Sequence, residues 1–568
     1  MARTVGIGIQ DFSKIRENNC FYVDKTSFIK EWWESFDDTT LITRPRRFGK
    51  TLNMSMLECF FSVDYADRGD LFEGLAIWEE EKYRNMQGRY PVISLSFANV
   101  KENTFEGAKR RIYQILVCMY EKYDFLVEEG FLEGTEEEFF KSVNEKMEEQ
   151  TATLAIYKLC QFLHGYYGKN VIILLDEYDT PMQEAYVYGF WDEMVSFTRS
   201  MFNSCFKTNP YLDRAIMTGI TRVSRESIFS DLNHLKVITT TSDKYATSFG
   251  FTEEEVFNAL EECGLEQEKE KVKYWYDGFV FGEHKDIYNP WSIINFLDMG
   301  KYDTYWANTS SNSLVGKLIR ESGGQIKLAF EGLLRGEHLM CPIEEQIVYN
   351  QLAGNEEAIW SLMVASGYLK VMDYEACDEV EDREPLYELA LTNYEVVRMF
   401  RSMVRDWFTS VRPLYNDFIK VMLLGDIDTM NDYMNEITMD VFSYFDAGSR
   451  SERSAAEKFY HGFVLGLLVD LRDRYYVTSN RESGFGRYDV ILEPKSKADN
   501  AFILEFKALN GRYEKTLEET LESALKQIEE KQYEASLIAK GIPVEKIHKY
   551  GFAFEGKKVL IGQAVCCI

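Results

Sequence analysis

The sequence has little of what marks a fibrous, secreted or membrane-spanning chain. Only 10 prolines occur in 568 residues, so long proline-rich linkers are absent. Its 10 cysteines are scattered without a C-x-x-C pair, which removes the short paired spacings of a zinc site and the density of a disulfide scaffold. Cys566 and Cys567 are adjacent near the tail; the other cysteines read as small core residues. No stretch approaches the roughly 18 apolar residues of a membrane span. The opening MARTVGIGIQDF has no basic segment followed by an apolar one, so export by a signal peptide is not expected and a cytoplasmic location is. No internal repeat of roughly 20–50 residues is visible.

What is present is ordinary for a globular protein. Hydrophobic residues make up 45%, charged residues 28%, and aromatics reach 15%, which excludes a disordered chain. At about 100–200 residues per domain, the length implies roughly three to five domains or one unusually large one. The net charge is −29, which by itself argues against nucleic-acid binding. Its distribution alters that reading. Residues 451–568 hold 18 Lys+Arg and 18 Asp+Glu, so the whole excess lies in the first 450 residues. The final segment can approach a polyanion without strong self-repulsion.

Four short apolar runs predict strands at Thr40–Thr43, Val92–Phe97, Val171–Leu175 and Arg214–Ile220. Helical periodicity fills the spaces between them, as in Phe105–Tyr123 and Glu137–His164. Alternation of this kind predicts βαβ units and a mostly parallel sheet, with VIILL buried on both faces at its centre. Residues 301–450 read as mainly helical. Within them Ile359–Tyr394 predicts a helix and two strands around an acidic turn, either a winged helix or a helical linker with a hairpin. The last module, 451–568, predicts a helix at Glu452–Tyr475, strands at Arg487–Leu492 and Ala501–Ala508, a charged helix at Glu514–Ala535, and closing strands at Tyr550–Phe554 and Lys558–Ile561. The expected organisation is therefore 1–300, 301–450 and 451–568.

LITRPRRFGKT at Leu41–Thr51 runs into the helix pattern NMSMLECFF. It matches the phosphate-binding G-x-x-x-x-G-K-[ST] loop at Gly49, Lys50 and Thr51, with Arg44 where the first glycine stands. Gly49 lets backbone N–H groups approach phosphate, Lys50 meets the β- and γ-phosphates, and Thr51 ligates Mg²⁺. Arg47 and Phe48 complete the candidate ATP-binding segment. VIILLDEYD supplies the second part, an apolar strand ending in acids. Asp176 is the candidate metal partner and Glu177 the candidate base for the attacking water. VISLSF, between these motifs in sequence, is expected to be the strand that separates them in the sheet. A third strand ends in TGITR; Arg222 or Arg225 is a candidate arginine finger, supplied in trans if the protein is a homo-oligomer.

YVDKTSFI, RPRRFGKT, LLDEYDTP, TGITRVSRESIFSDLNHL, YWYDGFVFG and IYNPWSI, in this order over roughly the first 300 residues, resemble the bacterial and archaeal AAA-ATPase-like family. That resemblance implies nucleotide binding and makes Arg44 a family trait. It does not by itself imply turnover, which rests on Asp176 and Glu177.

The last module carries a second constellation. Asp489 in GRYDVILEP precedes Glu505 and Lys507 in AFILEFKAL. Alternation puts Glu505 and Lys507 on one face, and a hairpin brings Asp489 beside them. Ionised groups in an otherwise apolar strand are costly unless paired or metal-bound. Two carboxylates holding Mg²⁺ and a lysine acting on water make a phosphodiester-cleaving set; an exposed Glu–Lys ion pair is the plainer alternative. GFGRYD and LEFK resemble the PD-(D/E)XK nuclease superfamily, with Tyr488 in place of its proline. The resemblance implies a further acid, Glu457, with His461 one turn later, and a substrate-positioning Gln527 followed by Tyr533. The expected partner is nucleic acid, DNA ahead of RNA, with no membrane. Set against the nuclease is a nucleotide switch that recruits a protein and uses the nuclease fold only for binding.

Overall fold

The computed structural model describes residues 3–222, 234–307, 324–344, 356–375, 385–407, 412–441, 474–479, 482–483, 486–487, 489–496, 499–509, 514–556 and 558–564. It also describes 228–229, 232, 315–316, 318–319, 464, 468 and 471. Two compact units divide the chain, residues 1–318 with 338–399, and residues 319–337 with 400–568.

The first unit is built on a five-stranded parallel sheet of β1 (Thr39–Thr43), β2 (Val92–Ser96), β3 (Val171–Asp176), β4 (Leu212–Gly219) and β5 (Leu235–Ile238). Their order is β2-β3-β4-β1-β5. Every residue of β1 and β3 is buried, as a parallel sheet covered on both faces requires. VISLSF is not the strand between the two motifs. VISLSF forms β2 at the sheet edge, and β4 is the strand that lies between β1 and β3. A sequence fixes the order of strands along the chain but not across the sheet. The helix expected at Glu137–His164 is two helices, Thr135–Ser142 and Glu149–Tyr167. Asn144 interrupts it by bonding locally, accepting from the Lys146 N–H at 2.9 Å and donating to the Ser142 carbonyl at 2.9 Å.

Past this sheet the chain adds β6 (Phe251–Thr252), β7 (Phe279–Phe281) and β8 (His284–Tyr288), ordered β6-β8-β7. The helix Pro290–Met299 follows, with Asn289 capping its first turn and Gly300 ending it. Then come β9 (Leu339–Cys341), β10 (Leu369–Glu375) and β11 (Leu386–Leu391), ordered β10-β11-β9. Gly278, at φ +124°, lies so near the Thr392 carbonyl that a Cβ would stand 2.1 Å from its oxygen; only glycine fits. The helix Glu356–Ala365 before β10 is buried at every position from Ala358 to Val364.

Glu395 is fully buried and ties this region together. Its carboxylate accepts from the Ser292 hydroxyl at 2.8 Å and the backbone N–H groups of Trp306 and Ala307 at 2.7 and 3.4 Å. Burial pushes its pKa from 4.5 up to about 7. The native state therefore holds a proton that the unfolded state has released, and stability falls as pH rises from about 4.5 to about 7. The size of this effect is about 3 kcal/mol. Glu395→Gln keeps the acceptor for the two N–H groups and removes the titration. Its melting temperature relative to wild type is expected to climb with pH across that window in paired thermal scans.

In the second unit β12 (Tyr475–Ser479), β15 (Val490–Pro494), β16 (Ala501–Ala508), β17 (Ile547–Glu555) and β18 (Lys558–Gln563) form one mixed sheet in that order. A small hairpin pairs β13 (Glu482–Ser483) with β14 (Gly486–Arg487). Only β16 and β17 run parallel within the mixed sheet. Alternation along β16 divides its neighbours. Phe502, Leu504 and Phe506 enter a core with Phe418, Met422, Met430 and Met434, from the helices Arg412–Leu424 and Ile427–Val441. Ile503 enters a second cluster with Ile528 of the helix Leu517–Glu530. Helices from within 301–450 thus pack on the C-terminal sheet.

Candidate functional site

Two sites emerge, one in each unit. In the first, β1 runs into the loop before the helix Lys50–Phe61, and Gly49 caps that helix in the left-handed region at φ +80°. The Lys50 ammonium is buried and donates back across the loop to the carbonyls of Arg44 and Pro45 at 3.0 and 2.9 Å. It lies 3.8 Å from the Glu177 carboxylate. Glu177 itself has φ +55°, a conformation sparsely populated by non-glycine residues and concentrated at functional positions.

Because β4 separates β1 from β3, the ends of β3 and β4 and the first turn of the helix after β1 converge on one carboxylate. Asp176 accepts from the Thr51 hydroxyl at 2.7 Å and, on its other oxygen, from the Thr218 hydroxyl. Burial, and secondarily the charge of Glu177, raises its pKa. Thr51 and Asp176 thus present hard oxygen donors side by side, the set that suits Mg²⁺.

The rest of the DEYD tetrapeptide fixes the end of β4. The Tyr178 hydroxyl donates to the Thr221 carbonyl at 2.8 Å. Asp179 is fully buried and accepts on one oxygen from the N–H groups of Ile220 and Thr221 and from the Thr221 hydroxyl, at 3.0, 2.8 and 2.9 Å. Gln183 donates to the same oxygen at 3.0 Å and accepts from Arg46 at 3.3 Å. This holds Thr221, and with it the following Arg222, in register with the loop. Arg225 lies outside the described residues.

Arg44, in the place of the loop's first glycine, is wholly buried. Its guanidinium donates to the carbonyls of Thr43 and Thr239 at 2.9 and 2.5 Å and lies 4.6 Å from the Phe281 ring centroid. Burial lowers its pKa to about 9. The arginine therefore pins the loop to the segment after β5 instead of lining the phosphate cradle. The Phe48 ring is also buried, 4.8 and 5.3 Å from Phe279 and Phe281. It anchors the loop, leaving to its backbone any part in holding a nucleotide. The YWYDGFVFG motif supplies that anchor.

In the second unit, the pairing of Val490 with Leu504 sets the register that brings Asp489 alongside Glu505. Asp489 accepts from the Phe506 N–H at 2.9 Å. Glu505 is buried and accepts from the Gln527 amide, whose nitrogen also meets the Tyr533 hydroxyl at 3.0 Å. Lys507 donates to the Ser523 hydroxyl at 3.0 Å. The match is geometric. Residues two apart on a strand are about 6.6 Å apart and one helical turn rises 5.4 Å, so Ser523 and Gln527 face Lys507 and Glu505 in step. Burial, and then the charge of Glu505, pushes the Tyr533 hydroxyl up to about 12, so it is neutral where it accepts from the Gln527 amide. Two carboxylates, an amide and an ammonium gather at this edge, and the carboxylate oxygens suit a hard divalent cation. Glu457 and His461 lie outside the described residues. Ser523 was missed by sequence reading because a lone helical serine carries no signal until its strand partner is known.

A parallel sheet with a basic loop against a buried strand-end acid defines a P-loop nucleotide-binding fold, and the mixed C-terminal sheet defines a second, nuclease-like fold. Comparison with known proteins agrees. Residues 6–229 match the family described as predicted AAA-ATPase, and residues 455–564 match the PD-(D/E)XK nuclease superfamily. The chain thus carries an AAA-ATPase-like domain followed by a PD-(D/E)XK nuclease-superfamily domain. It is 25% identical over 566 residues to an uncharacterized protein in the vnfD 5′ region of Azotobacter chroococcum mcd 1, covering 96% of each chain. Among solved structures it is similar to the Aeropyrum pernix ORC2 protein in ADPNP–ADP complexes, at 10% identity and a TM-score of 0.23 over 67% of this chain and 92% of that one. No helix among the described residues is long and apolar enough to cross a membrane.

Proposed function

We propose that this protein binds and hydrolyses ATP at the Thr51–Asp176 site and, under ATP control, cleaves nucleic-acid phosphodiesters at Asp489, Glu505 and Lys507. The observation that carries the reading is the convergence of Thr51 and Thr218 on Asp176, with Lys50 and Glu177 beside them. In this reading Arg47, Phe48, Gly49 and Lys50 hold the phosphates, and Arg222 or Arg225 meets the γ-phosphate, from a second subunit if the protein is a homo-oligomer. Mg²⁺, held by Thr51 and Asp176, would screen phosphate charge. Glu177 accepts the proton of the attacking water.

At the second site Asp489 and Glu505, with Glu457, would hold Mg²⁺, which lowers the pKa of a bound water when present. Lys507 orients or deprotonates the attacking water, and Gln527 positions Glu505 and the substrate. The substrate is DNA in preference to RNA, and the setting is cytoplasmic. The net charge of −29 supports the rival reading, a nucleotide switch whose nuclease fold only binds.

Incubation with labelled DNA and RNA in Mg²⁺, with ATP, with a non-hydrolysable analogue and without nucleotide, separates the two readings. Cleavage that changes with nucleotide state is expected. Nucleotide-dependent binding without any cleavage would establish the switch instead.

A further inference from the structure

The IYNPWSI segment touches the nucleotide loop at two consecutive residues, Arg46 and Arg47. The Arg46 carbonyl accepts from the Asn289 amide at 3.2 Å and from the Trp306 indole N–H at 3.0 Å. The same Asn289 caps the helix Pro290–Met299, its side-chain oxygen accepting from the Trp291 and Ser292 N–H groups at 2.9 and 3.3 Å. One buried amide therefore fixes both the loop and the helix that carries Trp291.

Arg47 lies between two gripped neighbours. Arg46 is held through its carbonyl, and Phe48 through its buried ring and through its carbonyl, which accepts from the Gly250 N–H at 3.3 Å. The Arg47 backbone is left-handed at φ +64° and its side chain is exposed. The guanidinium carbon lies 4.4 Å from the centre of the half-buried Trp291 ring. In a chain with 93 acidic side chains, Arg47 makes no hydrogen bond or ion pair to any described residue. A cation left to an aromatic face beside a loop of backbone N–H groups is available to an anion from outside the chain.

We propose that Trp291 is the resting seat of Arg47, and that the polyphosphate of a nucleoside di- or triphosphate draws the guanidinium off the indole. This rests on the ATP-binding reading and adds to it a positioning residue. Charge-assisted bonds to phosphate are stronger than an exposed cation–π contact, so the exchange runs toward phosphate. Trp291 competes with the ligand for Arg47, and its loss tightens binding. A purely structural tryptophan would weaken binding when removed.

The test measures nucleotide affinity by equilibrium dialysis and indole environment by emission, on the full chain. Wild-type emission is expected to change with ATP and ADP and much less with AMP, and Trp291→Phe loses most of that change. Trp291→Leu is expected to bind ATP roughly two- to fivefold more tightly, while Arg47→Ala weakens binding and abolishes the emission change. Melting temperatures of the variants establish that they are folded. ATP bound by dialysis with no emission change dependent on Trp291, or weaker binding by a folded Trp291→Leu, overturns the proposal. No ATP bound by wild type overturns the ATP-binding reading and this inference with it.

Discussion

Glu505→Gln is expected to abolish Mg²⁺-dependent cleavage while leaving ATP hydrolysis largely intact. Glu505 is buried against Gln527, so glutamine preserves the shape and still accepts from that amide. What it removes is charge. Asp489 stands beside it in register, and two carboxylates close together repel unless a cation lies between them. The substitution therefore has opposite signs in two conditions. Without metal the variant melts at or above the wild-type temperature, because repulsion is relieved. With Mg²⁺ or Mn²⁺ the wild type gains and the variant does not. At about ten times Kd the gain is about 1.4 kcal/mol, or roughly 3–6 °C for a unit of this size. Lys507→Ala should retain the metal-induced shift and lose most of the rate, since Lys507 is held by Ser523 and not by the carboxylates. Cleavage assays and melting scans of the three proteins check this together. Equal cleavage by wild type and Glu505→Gln would require another site.

Lys50→Ala is expected to raise the Kd for ATP roughly 30-fold to 5,000-fold, the effect of deleting one partner of a buried charge pair, about 2–5 kcal/mol. The Lys50 ammonium is buried and already bonded to the Arg44 and Pro45 carbonyls. Its removal leaves those two acceptors without it, so a lower melting temperature accompanies the loss of affinity. Glu177→Gln separates the two roles at this site. It is expected to retain ATP binding and to slow hydrolysis, because the carboxylate proposed to take the water's proton is gone while Lys50 and Thr51 remain. Dialysis with labelled ATP and phosphate release measure the two quantities. Unchanged affinity in Lys50→Ala would remove the loop from nucleotide binding.

The salt response of substrate binding follows from charge placement. With the acidic excess confined to the first 450 residues, residues 451–568 are expected to meet nucleic acid without a large positive field of their own. Binding is therefore expected to be weak and to fall further as salt rises, which a titration of labelled DNA at increasing salt measures.

The sequence by itself determined the chemistry-bearing segments and the type of element each forms. VIILL is a strand because a short apolar run of β-formers has the reach of one, and FGKT opens a helix because glycine accepts the left-handed turn before it. The hairpin carrying Asp489 and Glu505 follows from period-two alternation on both sides of a polar turn. Neighbourhood across the sheet was decided only by tertiary structure. Local periodicity carries no information about which strand lies beside which, so placing β4 between β1 and β3, and Thr218 on Asp176, needed the assembled sheet. The burial of Ala358–Val364 likewise depends on what surrounds that helix, not on its own pattern. The grip of Asn289, Trp291 and Trp306 on the nucleotide loop spans more than 240 residues of chain. Such contacts form when hydrophobic packing closes a long loop. Nothing in the local sequence of either partner encodes the other's position.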